Sequence, residues 1–139
     1  MIVADTGAII ALIDADDRHH EALAQMFDDD PGAWVLPWAI LPEVDYLLSA
    51  HVGARAEEAF LGSLAAGSLL VEWGSETDVM EADRICRRHK ALRLGLVDAV
   101  VIAIAERLRP DAIATLDLRH FAAVPIRGNP KIFPRDLRP

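Results

Sequence analysis

Leu96-Val97-Asp98-Ala99-Val100-Val101-Ile102-Ala103 begins a segment that stays apolar on almost every side of a helix as far as Leu108. A helix without a polar face has to be buried. Pro110 ends this one, and an apolar strand follows at Ala112 to Leu116. Asp98 lies in the first turn of the helix, whose positive end favours an anion. The segment therefore predicts a buried helix that carries one acid and leads into a strand.

Strands and helices alternate along the rest of the chain. The predicted strands are Ile2 to Ala4, Trp34 to Trp38, Leu69 to Trp73, Ala112 to Leu116 and, as a candidate fifth, Val124 to Ile126. The other predicted helices are Ala8 to Ile13, His19 to Phe27, Ile40 to His51, Ala54 to Ala65 and, after a capping box at Ser75 and Asp78, a helix to about His89. This order predicts an α/β fold of three α/β/α layers, with a central parallel sheet of four to five strands. No long linker interrupts the 139 residues, so we expect a single domain, 1–139.

Four acids stand in or beside this apolar sequence: Asp5, Glu43, Asp98 and Asp117. Asp5 and Asp117 follow predicted strands, and the other two fall in first turns of helices, so all four should reach the carboxyl edge of the sheet, where such folds bind ligands. No Lys or Arg lies within three residues of Asp5, Glu43 or Asp98. Carboxylates gathered in this way repel one another unless cations join them, and oxygen ligands suit Mg²⁺ or Mn²⁺. The set predicts a divalent-metal site, although each acid taken singly could be a helix cap or turn acid.

The net charge of −8 argues against broad electrostatic binding of nucleic acid, but it does not exclude a nuclease. Basic residues crowd two stretches, 84–93 and 119–138, which are either solvated surface or a rim that contacts phosphates. Within the second stretch we expect His120 at the surface. The sequence shows no signal peptide, and its apolar run from Ala99 to Ala105 is too short to span a bilayer. We therefore expect a soluble, cytoplasmic protein that does not bind membranes.

Four pieces of the sequence, in this order, resemble PIN domains, specifically the VapC-like toxins of toxin–antitoxin pairs. They are Ile2 to Ala8, Pro42-Glu43-Val44, Leu96 to Ala103 and Thr115 to Phe121. The resemblance implies a PIN-like fold and a metal-dependent endoribonuclease that cleaves structured RNA such as tRNA or rRNA. It also implies a homodimer and inhibition by a cognate VapB-like antitoxin.

By motif position, the resemblance makes the four acids the catalytic and metal-binding set, with Mg²⁺ or Mn²⁺ as cofactor. Thr6 and Thr115 become the neighbouring hydroxyls, which could orient a ligating carboxylate or a water. Each threonine could instead satisfy a local hydrogen bond at a strand end or cap. Gly7 stands where many relatives carry Ser, which departs from the family pattern.

Two other functions compete with a ribonuclease. A phosphohydrolase with an Asp nucleophile usually has a second acid two residues later, but Gly7 occupies that position, and neither Lys90 nor Lys131 follows a strand edge. A non-catalytic partner-binding module would not require four clustered carboxylates.

The predicted surface for an antitoxin lies beside the acids. We expect an apolar antitoxin helix to pack on exposed side chains near Val44, Leu47, Leu48 and Phe60, with an Arg or Lys extended toward Asp5 and Asp98.

Overall fold

The computed structural model describes residues 1–137 and contains one sheet of five parallel strands, in the order β3-β2-β1-β4-β5. The strands are β1 Ile2–Ala4, β2 Trp34–Pro37, β3 Leu70–Glu72, β4 Ala112–Ala114 and β5 Lys131–Phe133. The first strand is therefore central, and the chain adds two strands on each side of it. The prediction of a parallel sheet of four to five strands is confirmed.

Helices flank this sheet and confirm the α/β class. They are α1 Thr6–Ile13, α2 His20–Asp29, α3 Leu41–Leu47, α4 Ala54–Ala65, α5 Glu76–Arg88, α6 Leu96–Leu108 and α7 Leu118–Phe121. One group consists of α1 to α4, in which α1 contacts α2 and α3, and α3 contacts α4. The other pairs α5 with α6, and α6 lies against β1 and β2. Within residues 1–137, no helix is long and apolar enough to cross a membrane.

The apolar helix α6 is buried as its sequence predicts. Every residue from Ala99 to Ala105 is inaccessible or nearly so. The helix begins after Gly95 and ends at Arg109, whose left-handed backbone (φ 54°) stops it one residue before Pro110. The predicted capping box at the start of α5 is also present, with Ser75 and Asp78 each satisfying the other's backbone. These two helices pack together and hold one side of the sheet.

The predicted fifth strand at Val124 to Ile126 is wrong. That segment is a bend, and β5 is Lys131–Phe133, paired with β4. Val124 and Ile126 are buried in the core, which explains the apolar pattern, but Pro125 between them has no N–H to donate to a neighbouring strand.

The predicted helix from Ile40 to His51 changes type twice along its length. A single turn of 3₁₀-helix at Trp38–Ile40 precedes α3, and a π-helical stretch at Leu48–Val52 follows it. This π-helical stretch ends where Gly53 N donates to Leu48 O at 2.8 Å, in a backbone with φ of 139° that favours glycine. The first turn of α3, which carries Glu43, stays in the predicted place.

Strand register brings the two acid-bearing strand ends together. Ala4 of β1 pairs with Ala114 of β4, and Asp5 N donates to Ala114 O at 2.8 Å. The next residue on β4 is Thr115, and Asp117 follows two positions later. The order of the strands reverses between β1 and β4, which is where open parallel sheets leave a crevice.

Candidate active site

An open cleft of about 340 Å³ lies at this edge of the sheet, and all four predicted acids line it. Its walls are Asp5, Thr6, Gly7, Glu43, Leu47, Asp98, Leu116 and Asp117. Asp5 is buried at the base, with 5% of its surface exposed. Asp98 and Asp117 are half-buried, and Glu43 is exposed at the rim. The elements that hold them are the end of β1, the first turns of α3 and α6, and the cap of α7.

Thr115 connects two of these acids. Its Oγ1 donates to Asp5 Oδ2 at 2.9 Å and accepts from Asp117 N at 3.0 Å. Burial raises the pKa of Asp5 to about 7, and the charges of Asp98 and Asp117 add to this effect, while hydrogen bonds from Thr115 and Thr6 oppose it. Thr115 therefore orients an acid whose ionised form the fold disfavours.

His120 joins the acid cluster, so the expectation that it is a surface residue is wrong. Only 16% of its side chain is exposed. Its Nδ1 lies 2.6 Å from Asp98 Oδ2 and 3.0 Å from Asp117 Oδ2, and its Nε2 lies 3.0 Å from Leu92 O. Both ring nitrogens face acceptors, so the ring satisfies all of them only as an imidazolium that donates from each nitrogen.

The pKa values of this pair follow from that contact. Burial alone would lower the pKa of His120, but the hydrogen bond to Asp98 and the charges of Asp117 and Asp98 raise it overall. Burial raises the pKa of Asp98, as do the charges of Asp117 and Glu43, against the hydrogen bond from His120. Within residues 1–137, the four acids form no ion pair with Lys or Arg. His120 is thus the cation that the cluster holds for itself.

A local signal for His120 exists in the sequence. Asp117 is the N-cap of α7, and its Oδ1 accepts from His120 N at 3.2 Å. An N-cap acid contacts the residue three positions later, so the spacing of Asp117 and His120 places the imidazole over the carboxylate. The cap interpretation of Asp117 and its membership of the acid cluster are both correct.

The donors present fit a divalent cation. One ligand atom from each of Asp98, Asp117 and His120 lies within 4.8 Å of the other two, and the imidazole becomes a ligand once it loses its Nδ1 proton. Thr6 Oγ1, in the wall of the same cleft, is buried without a hydrogen-bond partner among the described residues. The cleft thus offers several carboxylate oxygens and a hydroxyl without a partner among residues 1–137. Oxygen atoms of this kind are the ligands that a hard divalent cation prefers.

The surface predicted for an antitoxin is not exposed. Val44, Leu48 and Phe60 expose between 0% and 2% of their surface, because the α3–α4 packing buries them in the core. Leu47 instead lines the acidic cleft. An apolar groove of about 270 Å³ lies between α1, α2 and α4.

This fold and site define a class of α/β protein. Its members carry a cluster of acids that can bind a metal ion at the carboxyl edge of a parallel sheet. The sequence matches the PIN domain family over residues 2–126, and the chain belongs to that family.

Among its relatives, the chain is 35% identical over 128 residues to Ribonuclease VapC26 of Mycobacterium tuberculosis, covering 91% of this chain and 95% of the relative. It also shares its fold with the crystal structure of M. tuberculosis VapC20, a Sarcin-Ricin loop cleaving toxin, with a TM-score of 0.73, 23% identity and coverage of 81% and 87%. A toxin–antitoxin complex from Klebsiella pneumoniae gives a TM-score of 0.67, with 19% identity and coverage of 90% of this chain and 93% of that one.

Proposed function

We propose that this protein is a metal-dependent endoribonuclease and the toxin of a toxin–antitoxin pair. The observation that carries the proposal is the cleft lined by Asp5, Glu43, Asp98 and Asp117, for which His120 is the only counter-cation among residues 1–137. The 35% identical relative is a ribonuclease, and it is matched over 95% of its length, which supports the same reaction here.

The four carboxylates would hold Mg²⁺ or Mn²⁺. Oxygen donors select these hard ions over zinc, and Glu43 at the rim is free to approach from α3. When bound, such an ion neutralises phosphodiester charge and lowers the pKa of an attacking water. Thr115 and the orphaned Thr6 hydroxyl are the neighbouring groups that we assign to orienting Asp5 and a water in the cleft.

His120 prepares the acids for the arrival of a cation. Its Nε2 is held by Leu92 O, so the ring can lose its Nδ1 proton without turning. Losing that proton frees Asp98 and Asp117 to accept another cation. When no metal ion is bound, the positive charge of His120 thus stabilises the acid cluster, and the ring can lose that charge when an ion arrives.

The substrate is structured RNA such as tRNA or rRNA, which places the activity in the cytoplasm, and the active form is a homodimer. We assign the antitoxin to the apolar groove between α1, α2 and α4. Its walls include the partly exposed Leu12, Ile13, Phe27 and Leu69, so the groove can accept the apolar face of a helix. An Arg or Lys elsewhere on the same antitoxin chain would pair with the acids of the cleft at the start of α1.

Incubation of the purified protein with total RNA tests this function. We expect cleavage with Mn²⁺ or Mg²⁺, none with EDTA, and inhibition when the cognate antitoxin is added. An absence of cleavage with every divalent ion, in a folded protein that still binds its antitoxin, would favour a partner-binding module instead.

A further inference from the structure

The turn between α5 and α6 carries cations that the fold leaves without partners. We call residues 88–93 the basic turn. Earlier on α5, Arg84 and Arg87 each pair with an acid of the same helix. In the basic turn, by contrast, Arg88, Lys90 and Arg93 are exposed, and no carboxylate of residues 1–137 lies within 4.0 Å of their charged groups. These three charges are therefore available to a ligand.

The basic turn lies directly beside the acidic cleft. Leu92 O accepts the hydrogen bond from His120 Nε2, and the same imidazole contacts Asp98 through Nδ1. Arg93 follows Leu92 and precedes Asp98 by five residues. A ligand bound at the acids therefore lies close to this turn.

Arg93 occupies a backbone conformation that favours glycine, with φ 51° and ψ 48°. Among the described residues, no hydrogen bond or ion pair of its side chain compensates for this choice. The left-handed backbone at this position favours glycine, yet the chain carries an arginine there.

Arg109 provides an internal comparison. It has the same left-handed conformation, with φ 54° and ψ 55°, is also exposed and also forms no ion pair within residues 1–137. It lies at the opposite end of α6, about 16 Å from Asp98 along the helix axis. The two arginines thus share residue type, backbone and exposure, and differ in their distance from the cleft.

We infer that the basic turn binds the phosphate backbone of RNA beside the bond that is cleaved, with Arg93 as its main positioning residue. This inference rests on the proposed ribonuclease function. A protein with a net charge of −8 and a cluster of acids in its cleft repels a polyanion, so local cations are needed to bring RNA to the site. A guanidinium can bind a phosphate through two hydrogen bonds, which fixes its position as well as its charge.

Replacement of each arginine by glycine separates charge from folding. Glycine adopts both left-handed positions without strain, so R93G and R109G should melt at or above the temperature of the unmodified protein. RNA cleavage would be measured in Mn²⁺ at several KCl concentrations. We expect R93G to raise KM about tenfold at low salt, with kcat unchanged, as expected for the loss of one charged hydrogen bond.

Salt dependence provides a second readout. Loss of one phosphate contact should make the plot of log(kcat/KM) against log[KCl] shallower by about 0.7 for R93G. R109G should keep the KM and slope of the unmodified protein, and R93K should restore most of the slope because it keeps the charge.

Each contrary result has its own meaning. If R93G matches R109G, or if it lowers kcat while KM and slope stay unchanged, the basic turn does not bind RNA, even though the protein is a ribonuclease. If the unmodified protein does not cleave RNA at all, the proposed function fails first and this inference fails with it.

Discussion

Two aspartates of this chain are buried to nearly the same extent, and the fold treats them in opposite ways. Asp78 exposes 2% of its surface and Asp5 exposes 5%. Arg107 donates to both carboxylate oxygens of Asp78, at 2.8 and 2.9 Å. Burial alone would raise the pKa of Asp78, but Arg107 and the Ser75 N–H lower it overall. Asp5 has a hydroxyl partner and, within residues 1–137, no cation paired with it, and its pKa rises to about 7.

The partner of a buried acid, rather than its burial, separates a structural site from a functional one. Asp78 caps α5, and its pairing with Arg107 on α6 joins the two helices with charges that the chain itself supplies. Among residues 1–137, Asp5 and its neighbours hold only one cation that can be released, His120. An acid to which the fold gives no permanent cationic partner is available to a ligand.

The largest difference between the two acids should appear in catalysis. If Asp5 and Asp98 hold the metal ion, D5N and D98N should each lower kcat/KM for RNA by about 10³-fold or more, since the ion contributes several kcal/mol to the transition state. D78N should keep the kcat of the unmodified protein below its melting temperature. The measurement is RNA cleavage in Mn²⁺, with circular dichroism to show that each variant is folded.

Full activity of D5N and D98N would mean that catalysis does not occur in this cleft. D16N is a further control, because Asp16 lies in an exposed turn where its N–H bonds to Asp14.

Binding of a divalent ion should stabilise the protein through the cleft that contains Asp5, and not through the Asp78–Arg107 pair. At Mn²⁺ concentrations about 100 times Kd, mass action adds about 2.7 kcal/mol to the free energy of unfolding. Melting curves with and without Mn²⁺ should show this rise in the unmodified protein and in D78N, but little of it in D98N. An equal rise in all three would place the bound ion elsewhere.

The same substitution, Asp to Asn, should change stability in opposite directions at the two sites. In EDTA at pH 8, D5N should raise the free energy of unfolding by about 2 kcal/mol, because it removes a charge that burial disfavours. D78N should lower it by about 2 kcal/mol, because it leaves Arg107 without its charged partner in a partly exposed setting. Urea unfolding measures both changes, and two changes of the same sign would refute the comparison.

Lowering the pH should reduce the stability changes caused by D5N and D78N, but over a different pH range for each variant. The raised pKa of Asp5 means that the folded protein keeps this proton between about pH 4 and 7, so the advantage of D5N should shrink as the pH falls through that range. The lowered pKa of Asp78 means that its stabilising effect is complete above about pH 4 and is lost below it. The deficit of D78N should therefore persist to about pH 4 and close only in stronger acid.

Much of the fold follows from local patterns in the sequence. The apolar pattern of α6 and the strand-end positions of Asp5 and Asp117 depend on periodicity and on the rule that parallel strands share an edge. The capping box of α5 is likewise contained within four residues. These features were predictable because each is decided by neighbours along the chain.

The rest depends on contacts between distant residues. Arg107 meets Asp78 across 29 positions, and His120 meets Leu92 across 28, distances over which a single sequence gives no pairing signal. The three-residue strand β5 is similarly defined by its pairing with β4 rather than by its own pattern. The sequence therefore left open the cation that completes the Asp78 site, whereas for His120 it offered only the local spacing from Asp117.

The smallest effect is expected at Glu72, and it tests whether burial makes the Arg107–Asp78 pair strong. Arg107 also contacts Glu72, at 3.0 Å from Oε1, but 26% of the Glu72 side chain is exposed. Water screens such a pair, and E72Q keeps an oxygen that can accept from both Arg107 and Gly74 N. We expect E72Q to lower the free energy of unfolding by about 0.5 kcal/mol or less, well below the effect of D78N. The two variants remove one charge each from the same guanidinium, so urea unfolding compares them directly. If E72Q costs as much as D78N, the charge of Arg107 stabilises the fold without regard to burial, and the contrast with Asp5 would then reflect the missing cation alone.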